Sequence, residues 1–180
     1  VMAIETEIKY RLSKEQYERV QEDLTEFNAN YSGEVFEENT IYSSKFLYDL
    51  KAILRIRKIG DKTILTFKKR ISGNEGVKTQ LEHETAVENG EEIVEIIENL
   101  GLNKNLLYEK RRKKWEVRGT EIMLDTLPFG LFLEIEGSAV SIKEIEMILG
   151  TEDFQIEYKS YPHLTSELGK KYDGWVEARF

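Results

Sequence analysis

Charged residues recur two apart along much of this chain: Glu5-x-Glu7-x-Lys9, Arg55-x-Arg57, Glu82-x-Glu84, Lys110-x-Arg112 and Glu134-x-Glu136. Lys68 and Asp125 stand alone in comparable apolar stretches. In an extended chain, residues two apart share a face. Each pair is therefore a pair of like groups pointing the same way, and acids and bases are segregated by segment. Paired carboxylates hold hard divalent cations such as Mg²⁺ or Mn²⁺. Guanidinium and ammonium groups hold phosphate oxygens. One kind of ligand needs both, a polyphosphate with its divalent cation.

The segments that carry these pairs read as strands. Residues 3–10 alternate, with Ile4, Thr6, Ile8 and Tyr10 opposite the charges. "AILRIRKI" and "KTILTFKKR" are two strands joined at Gly60-Asp61. Residues 30–43 are β-rich, "VKTQLEHETAV" alternates, and "LLYEKRRKKWEV" and "TEIMLDTL" flank a turn at Gly119. "LFLEIEGS" is the last clear strand, and residues 73–76 read as a loop. Ser13 and Gln16 form a capping-box start for a helix over 14–27, with Tyr17, Val20, Leu24 and Phe27 at helical spacing. "GEEIVEIIENLG" predicts a second helix capped at Gly101, and Ser141 with Glu144 a third that ends at Gly150. The sum is about eight strands and three or more helices. With only two prolines and no linker-like stretch, residues 1–180 are expected to form a single domain.

A wetted sheet face is one reading of the charges, because antiparallel sheets often bury one face and solvate the other. Two features favour another. The acids and bases are sorted by strand, and the amphipathic helices need the apolar face to pack on. If helices cover that face and eight strands close, the charged face becomes a lumen. Inward charges are too costly unless they pair or bind ligands.

Composition excludes other chemistries. The chain has no cysteine, hence no thiolate nucleophile and no disulfide frame, and two histidines, His83 and His163, too few for a multi-histidine metal site. Hydrophobic residues make up 40% and charged residues 33%, enough apolar material for a core. No apolar run reaches membrane-spanning length and no signal pattern begins the chain, so a cytoplasmic protein without a membrane partner is expected. The net charge of −8 argues against nucleic-acid partners. Oligomeric state is not encoded legibly, a homodimer being one assembly compatible with the sequence.

The ordered set formed by Glu5-x-Glu7-x-Lys9, "LRIR", the lysine of "LTFKK", "EKRRKKW", "LD" and "FLEIE" resembles the CYTH superfamily. These are the triphosphate tunnel metalloenzymes, which include class IV adenylyl cyclases, thiamine triphosphatases and inorganic triphosphatases. The likeness spans residues 4–137, with an echo at "KSYPHL". It implies an α+β fold, an eight-stranded antiparallel closed β-barrel, or tunnel, with helices packed on its outside. It implies Mg²⁺ or Mn²⁺ as cofactor and a triphosphate-containing small molecule as substrate. By resemblance Glu5, Glu7, Asp125, Glu134 and Glu136 hold metal and, with Lys9, form the catalytic set. Lys9, Arg55, Arg57, Lys68, Lys110 and Arg112 bind the triphosphate, and Glu82 and Glu84 complete an acidic wall. The chain departs from the pattern where "NTIYSSKF" replaces a Tyr-Phe-Asp-Thr segment and where Gln80 stands in place of an arginine.

Arg111, Lys113 and Lys114 are expected on the opposite face from the ligand groups, His83 pointing away from its flanking glutamates, and Trp115 and Trp175 in packing roles. Three activities remain open: triphosphate hydrolysis, cyclisation of ATP to cyclic AMP, and polyphosphate or nucleotide binding without turnover. Hydrolysis needs the fewest assumptions, because no segment is identified that would hold adenine and ribose.

Overall fold

The computed structural model describes residues 3–74 and 77–180. In chain order the elements are β1 (Ala3–Leu12), α1 (Lys14–Glu26), β2 (Asn30–Ser43), α2 (Lys45–Asp49), β3 (Ala52–Ile59), β4 (Lys62–Asn74), β5 (Val77–Val87), α3 (Gly90–Asn99), β6 (Asn103–Val117), β7 (Thr120–Leu127), β8 (Gly130–Glu136), α4 (Ala139–Leu149), β9 (Gln155–Ile156), α5 (Tyr161–Leu168), β10 (Lys170–Tyr172) and β11 (Trp175–Ala178). The chain is α+β.

Eight strands close on one another in the order β6-β2-β3-β4-β5-β1-β8-β7, and β7 returns to β6. Every pairing in this ring is antiparallel. Closure removes the edges that an open sheet would expose. Two short strands complete the seams. β11 runs parallel to β6 at Leu106–Tyr108, on the edge that β7 leaves after Arg111. β9 pairs with Tyr10 and Arg11 of β1, beyond the point where β5 stops pairing at Glu7.

The helices lie outside the strand wall. α1 and α4 cover one side, where Val20, Leu24, Ile142, Ile145 and Leu149 pack against the outward residues of β1, β7 and β8 such as Ile8, Ile122, Leu124, Leu133 and Ile135. α3 covers another side, placing Ile97 against Tyr42 and Ile56. α5 lies across one end of the barrel, and its Tyr161 and Leu164 meet Ile41, Tyr108, Leu127 and Phe132. The apolar faces of the strands are thus turned outward to helices, which leaves the charged faces no direction but inward.

The capping chemistry follows the sequence with one shift. Ser13 and Gln16 form the expected reciprocal cap of α1. α4 begins at Ala139, with Ser138 rather than Ser141 as its N-cap, because the Ser138 hydroxyl accepts from the Ser141 N–H at 3.1 Å. The β6–β7 hairpin turns through Arg118 and Gly119, both at positive φ, as a two-residue loop requires to match strand twist. Residues 73 and 74, read from sequence as loop, pair with Lys78 and Val77 as the end of the β4–β5 ladder. The other two residues of that expected loop, 75 and 76, lie outside the described residues.

Candidate active site

Strand parity decides what enters the tunnel. Glu5, Glu7 and Lys9 of β1 face inward while Ile8 and Tyr10 face the helices. The same alternation directs Arg55 and Arg57 of β3, Lys68 of β4, Glu82 and Glu84 of β5, Lys110 and Arg112 of β6, and Glu134 and Glu136 of β8 into one lumen. All these sequence-predicted residues are brought together.

Within the lumen the charges pair. Lys9 Nζ lies 3.2 Å from Glu134. Arg55 is 3.6 Å from Glu82 and 3.5 Å from Glu84. Lys68 contacts Glu82 and lies 3.4 Å from Glu5. Arg112 contacts Glu134 and grips both oxygens of Asp125, at 2.7 and 2.6 Å. Such pairs are balanced against the cost of removing both ions from water, so an incoming ligand that matches both signs can split them.

Asp125, a metal ligand by the resemblance, stands among protein donors. It is fully buried. Besides Arg112, it accepts from the Tyr161 hydroxyl at 2.8 Å and lies 3.4 Å from Lys110. Oδ2 takes Arg112, Tyr161 and Lys110 while Oδ1 accepts from Arg112 alone, so Asp125 orients Arg112. Lys114 corrects an expectation. It shares parity with Arg112, lines one mouth of the tunnel and pairs with Glu121 at 2.6 Å. Arg111 and Lys113 do face outward, to the Phe180 ring and to Gln21. Trp115 is buried in the core under α1, and Trp175 stacks on Tyr172.

Besides Glu121, three further lumen residues were not singled out from sequence. Glu37, 1% exposed, lies 3.4 Å from Arg57 and 3.3 Å from Lys110. Burial alone would raise its pKa, but Lys110, Arg112, Arg57 and Arg55 outweigh burial and hold the carboxyl well below its usual range. Lys78 presents a buried Nζ with no hydrogen-bond partner among the described residues, and Arg55 Nε is likewise unpartnered. Burial, then the nearby Lys9, lowers Lys78 to about 8. Tyr161 places its ring 3.8 Å from Lys9 Nζ, a cation-π contact at the end of the tunnel.

The lumen is sorted by sign along its axis. At one mouth, a cavity of about 380 Å³ is lined by Glu5, Glu82, Glu84, Glu121 and Glu136, with Arg57, Lys68, Arg112 and Lys114 at its inner and side walls. The centre is narrower, about 100 Å³, and gathers Lys9, Arg55, Lys68, Lys78, Lys110 and Arg112 among its walls. Unpartnered buried donors in this centre are what an anion would satisfy.

The acidic side suits a hard cation. Glu7, Glu136 and Glu121 stand directly opposite one another on β1, β8 and β7. Burial raises Glu136 to about 7, and the charges of Glu121, Glu7 and Glu134 add to the rise against the opposing pull of Lys68. Burial and the hydrogen bond with Glu82 likewise push Glu5 up, to about 8. Carboxylates crowded this way favour a cation among them. Among the described residues no three carboxylate or imidazole groups converge on one point. That donor set fits Mg²⁺ or Mn²⁺ held by one or two carboxylates, with water and phosphate oxygens completing the shell, rather than an all-protein cage. Among the described residues no helix is long and apolar enough to cross a membrane.

The CYTH domain model matches residues 3–160. Among solved structures, the chain is similar to the PH1819 protein of Pyrococcus horikoshii OT3, at 26% identity over 91% of this chain and 98% of that one, with a TM-score of 0.77. It is similar to a Vibrio parahaemolyticus protein named as a proposed adenylate cyclase, at 19% identity over 92% and 99% of the two chains, TM-score 0.72. It is also similar to HpAC1 of Hippeastrum, a proposed adenylyl cyclase described as having a dominant triphosphatase activity, at 21% identity over 87% and 91%, TM-score 0.66. No curated protein matches the chain significantly. With the family model covering most of its length and the closed tunnel in place, the chain belongs to the CYTH domain family.

Proposed function

We propose that this protein is a divalent-metal-dependent enzyme that hydrolyses a phosphoanhydride bond of a triphosphate, inorganic triphosphate being the simplest substrate. The observation that carries the reading is the central cavity. Its cations include two buried donors without partners, and a wall of carboxylates begins beside it.

Lys9, Arg55, Arg57, Lys68, Lys110 and Arg112 bind the phosphate oxygens and stabilise the charge that accumulates on the leaving phosphates. Asp125 and Tyr161 hold Arg112 in place. Glu5, Glu7, Glu134 and Glu136 are the residues that would hold Mg²⁺ or Mn²⁺, whose chemistry when bound is charge neutralisation and water activation. Water adds to the terminal phosphorus, the bridging P–O bond breaks, and orthophosphate and diphosphate are released. The ion pairs across the lumen must part for this, each cation passing to phosphate. An anion without its cation leaves carboxylates unpaired, so metal and triphosphate are expected to bind with positive cooperativity.

A cyclase reading shares the same cations but needs a nucleoside seat, for which the lumen supplies no stacked aromatic pair among the described residues. Purified protein incubated with tripolyphosphate or ATP, and with Mg²⁺ or Mn²⁺, separates the cases. Orthophosphate from either substrate supports hydrolysis. Cyclic AMP with pyrophosphate would replace it with cyclisation. No product from any triphosphate with either metal would leave a binding module.

A further inference from the structure

A separate cavity lies on the outer wall of the barrel. It is a groove of about 640 Å³ between the end of α1 and the strands β2 and β6, with Gln21, Asn28, Asn30, Tyr31, Lys113 and Trp115 in its lining. Strand parity puts it outside: Lys113 and Trp115 alternate along β6 with the inward Lys110 and Arg112, and Tyr31 stands directly opposite Trp115. Tyr31 is half exposed and leans on the buried Trp115, with ring centroids 4.8 Å apart. Lys113 has Glu34 directly across from it on β2, yet its ammonium reaches Gln21 Oε1 at 2.6 Å and lies 5.8 Å from the Tyr17 ring. It has no carboxylate partner among the described residues. No carboxylate lines the groove among the described residues either, in a chain where 34 of 180 residues are acidic.

We propose that this groove binds a nucleoside monophosphate, with the base on Tyr31 and the phosphate on Lys113. The site is distinct from the lumen and does not depend on the triphosphate reading. A half-exposed ring backed by a second aromatic is a stacking platform, and every base offers it a π-face. Gln21, Asn28 and Asn30 carry amides, each a donor and an acceptor together, which matches the mixed edge of a base. A single ammonium without a counter-ion matches a single phosphate. A triphosphate is better served in the lumen, where many cations gather. A neutral sugar would use the ring and the amides but leave the lysine uncompensated. The volume is that of a small-molecule site. Because Lys113 and Arg112 sit on opposite faces of β6, groove and lumen can be filled at the same time.

The test is calorimetric titration of the full chain with AMP, adenosine and ribose 5-phosphate in chelator, repeated with tripolyphosphate in excess to occupy the lumen. AMP is expected to bind, and to bind equally well with tripolyphosphate present. Tyr31→Ala should weaken AMP and adenosine alike by at least about fivefold, the worth of one stacked base. Tyr31→Phe, which keeps the ring, should bind as the wild type does. Lys113→Met should weaken AMP by about fivefold or more and leave adenosine unchanged. Tyr31 is half exposed and Lys113 makes no ion pair among the described residues, so both variants are expected to fold, with circular dichroism as the check. No binding of AMP at millimolar concentration, or an affinity untouched by Tyr31→Ala, would overturn the site. AMP displaced by tripolyphosphate would move the nucleotide to the lumen and overturn it equally. Ribose 5-phosphate bound as tightly as AMP would assign the groove to a sugar phosphate instead. Equal losses of AMP and adenosine in Lys113→Met would take the phosphate off Lys113 and refute the proposed pose. Hydrolysis of tripolyphosphate, measured separately in Mg²⁺, decides the hydrolase reading alone.

Discussion

The two mouths of the tunnel are built from the same eight strands yet carry opposite chemistry. At the acidic mouth, carboxylates outnumber cations, and Glu136 and Glu5 are held protonated toward neutral pH by burial and mutual crowding. At the basic mouth, beside α5, the lining among the described residues holds only cations and neutral groups. Between them most charges pair across the lumen, Lys9 and Arg112 with Glu134 and Lys110 with Glu37, while the Lys78 ammonium has no partner among the described residues. A barrel that merely needed to satisfy its interior would pair signs uniformly along its length. Sorting them leaves each end short of a counter-ion, and the shortage has a sign: cation at one end, anion at the other. The difference teaches that the lumen is organised as a receiver for a dipolar ligand.

The largest effect is expected from Glu134→Gln at the waist, which removes the carboxylate paired with Lys9 and one of the two paired with Arg112. Turnover of triphosphate should fall by about 10²–10³-fold or more, with circular dichroism unchanged. Undiminished turnover would erase the functional distinction between the two ends. Glu37→Gln comes next. It leaves the buried Arg57 without a carboxylate partner among the described residues and Lys110 with Asp125 alone, a loss of about 3 kcal/mol in chemical denaturation. Its pH dependence has a fixed sign. The folded-state pKa lies below the unfolded value of 4.5, so the carboxylate's stabilisation is complete above that value and is lost as pH falls through the folded value. The stability gap between wild type and Glu37→Gln should therefore narrow on acidification, and a gap that widens would contradict the assignment.

Tyr161→Phe should cost about 2 kcal/mol, the worth of a hydrogen bond to a buried carboxylate, and should lower turnover by loosening Arg112. A stability loss with unchanged turnover would separate α5 from the active site. The smallest effect belongs to Lys159→Ala. The Lys159–Glu167 pair is exposed on both sides, so thermal denaturation should register less than about 0.5 kcal/mol.

Most of the barrel was legible because its strands obey one rule throughout: apolar residues to the helices, charged residues to the lumen. Arg55 between Leu54 and Ile56, and Glu134 between Leu133 and Ile135, announce both faces at once. Glu37 was hidden because β2 is weakly alternating there; in "EVFEENT" glutamates lie on both faces, and only Glu37 is enclosed. The signal available was its two-residue spacing to Asn39, which donates to it. Lys78 was passed over for sitting outside a like-charged pair. α5 was missed because eight residues show too little periodicity, although Ser160 before Tyr161-Pro162 is a helix start, with its hydroxyl accepting from His163 N–H. The surroundings of Asp125 were hidden for another cause. Spacing reports that a carboxylate faces the lumen; it does not report that Arg112, Lys110 and Tyr161 gather around it.

The short strand β11 has a consequence for how this barrel fails. It covers the stretch of β6 that β7 abandons, three residues whose opposite edge is already taken by β2. Remove the β10–β11 hairpin and Leu106, Leu107 and Tyr108 present bare amides and carbonyls beside apolar side chains, the makings of an adhesive edge. Loss of the last dozen residues should then show itself as self-association of intact tunnels through that gap, before any change in what the lumen binds.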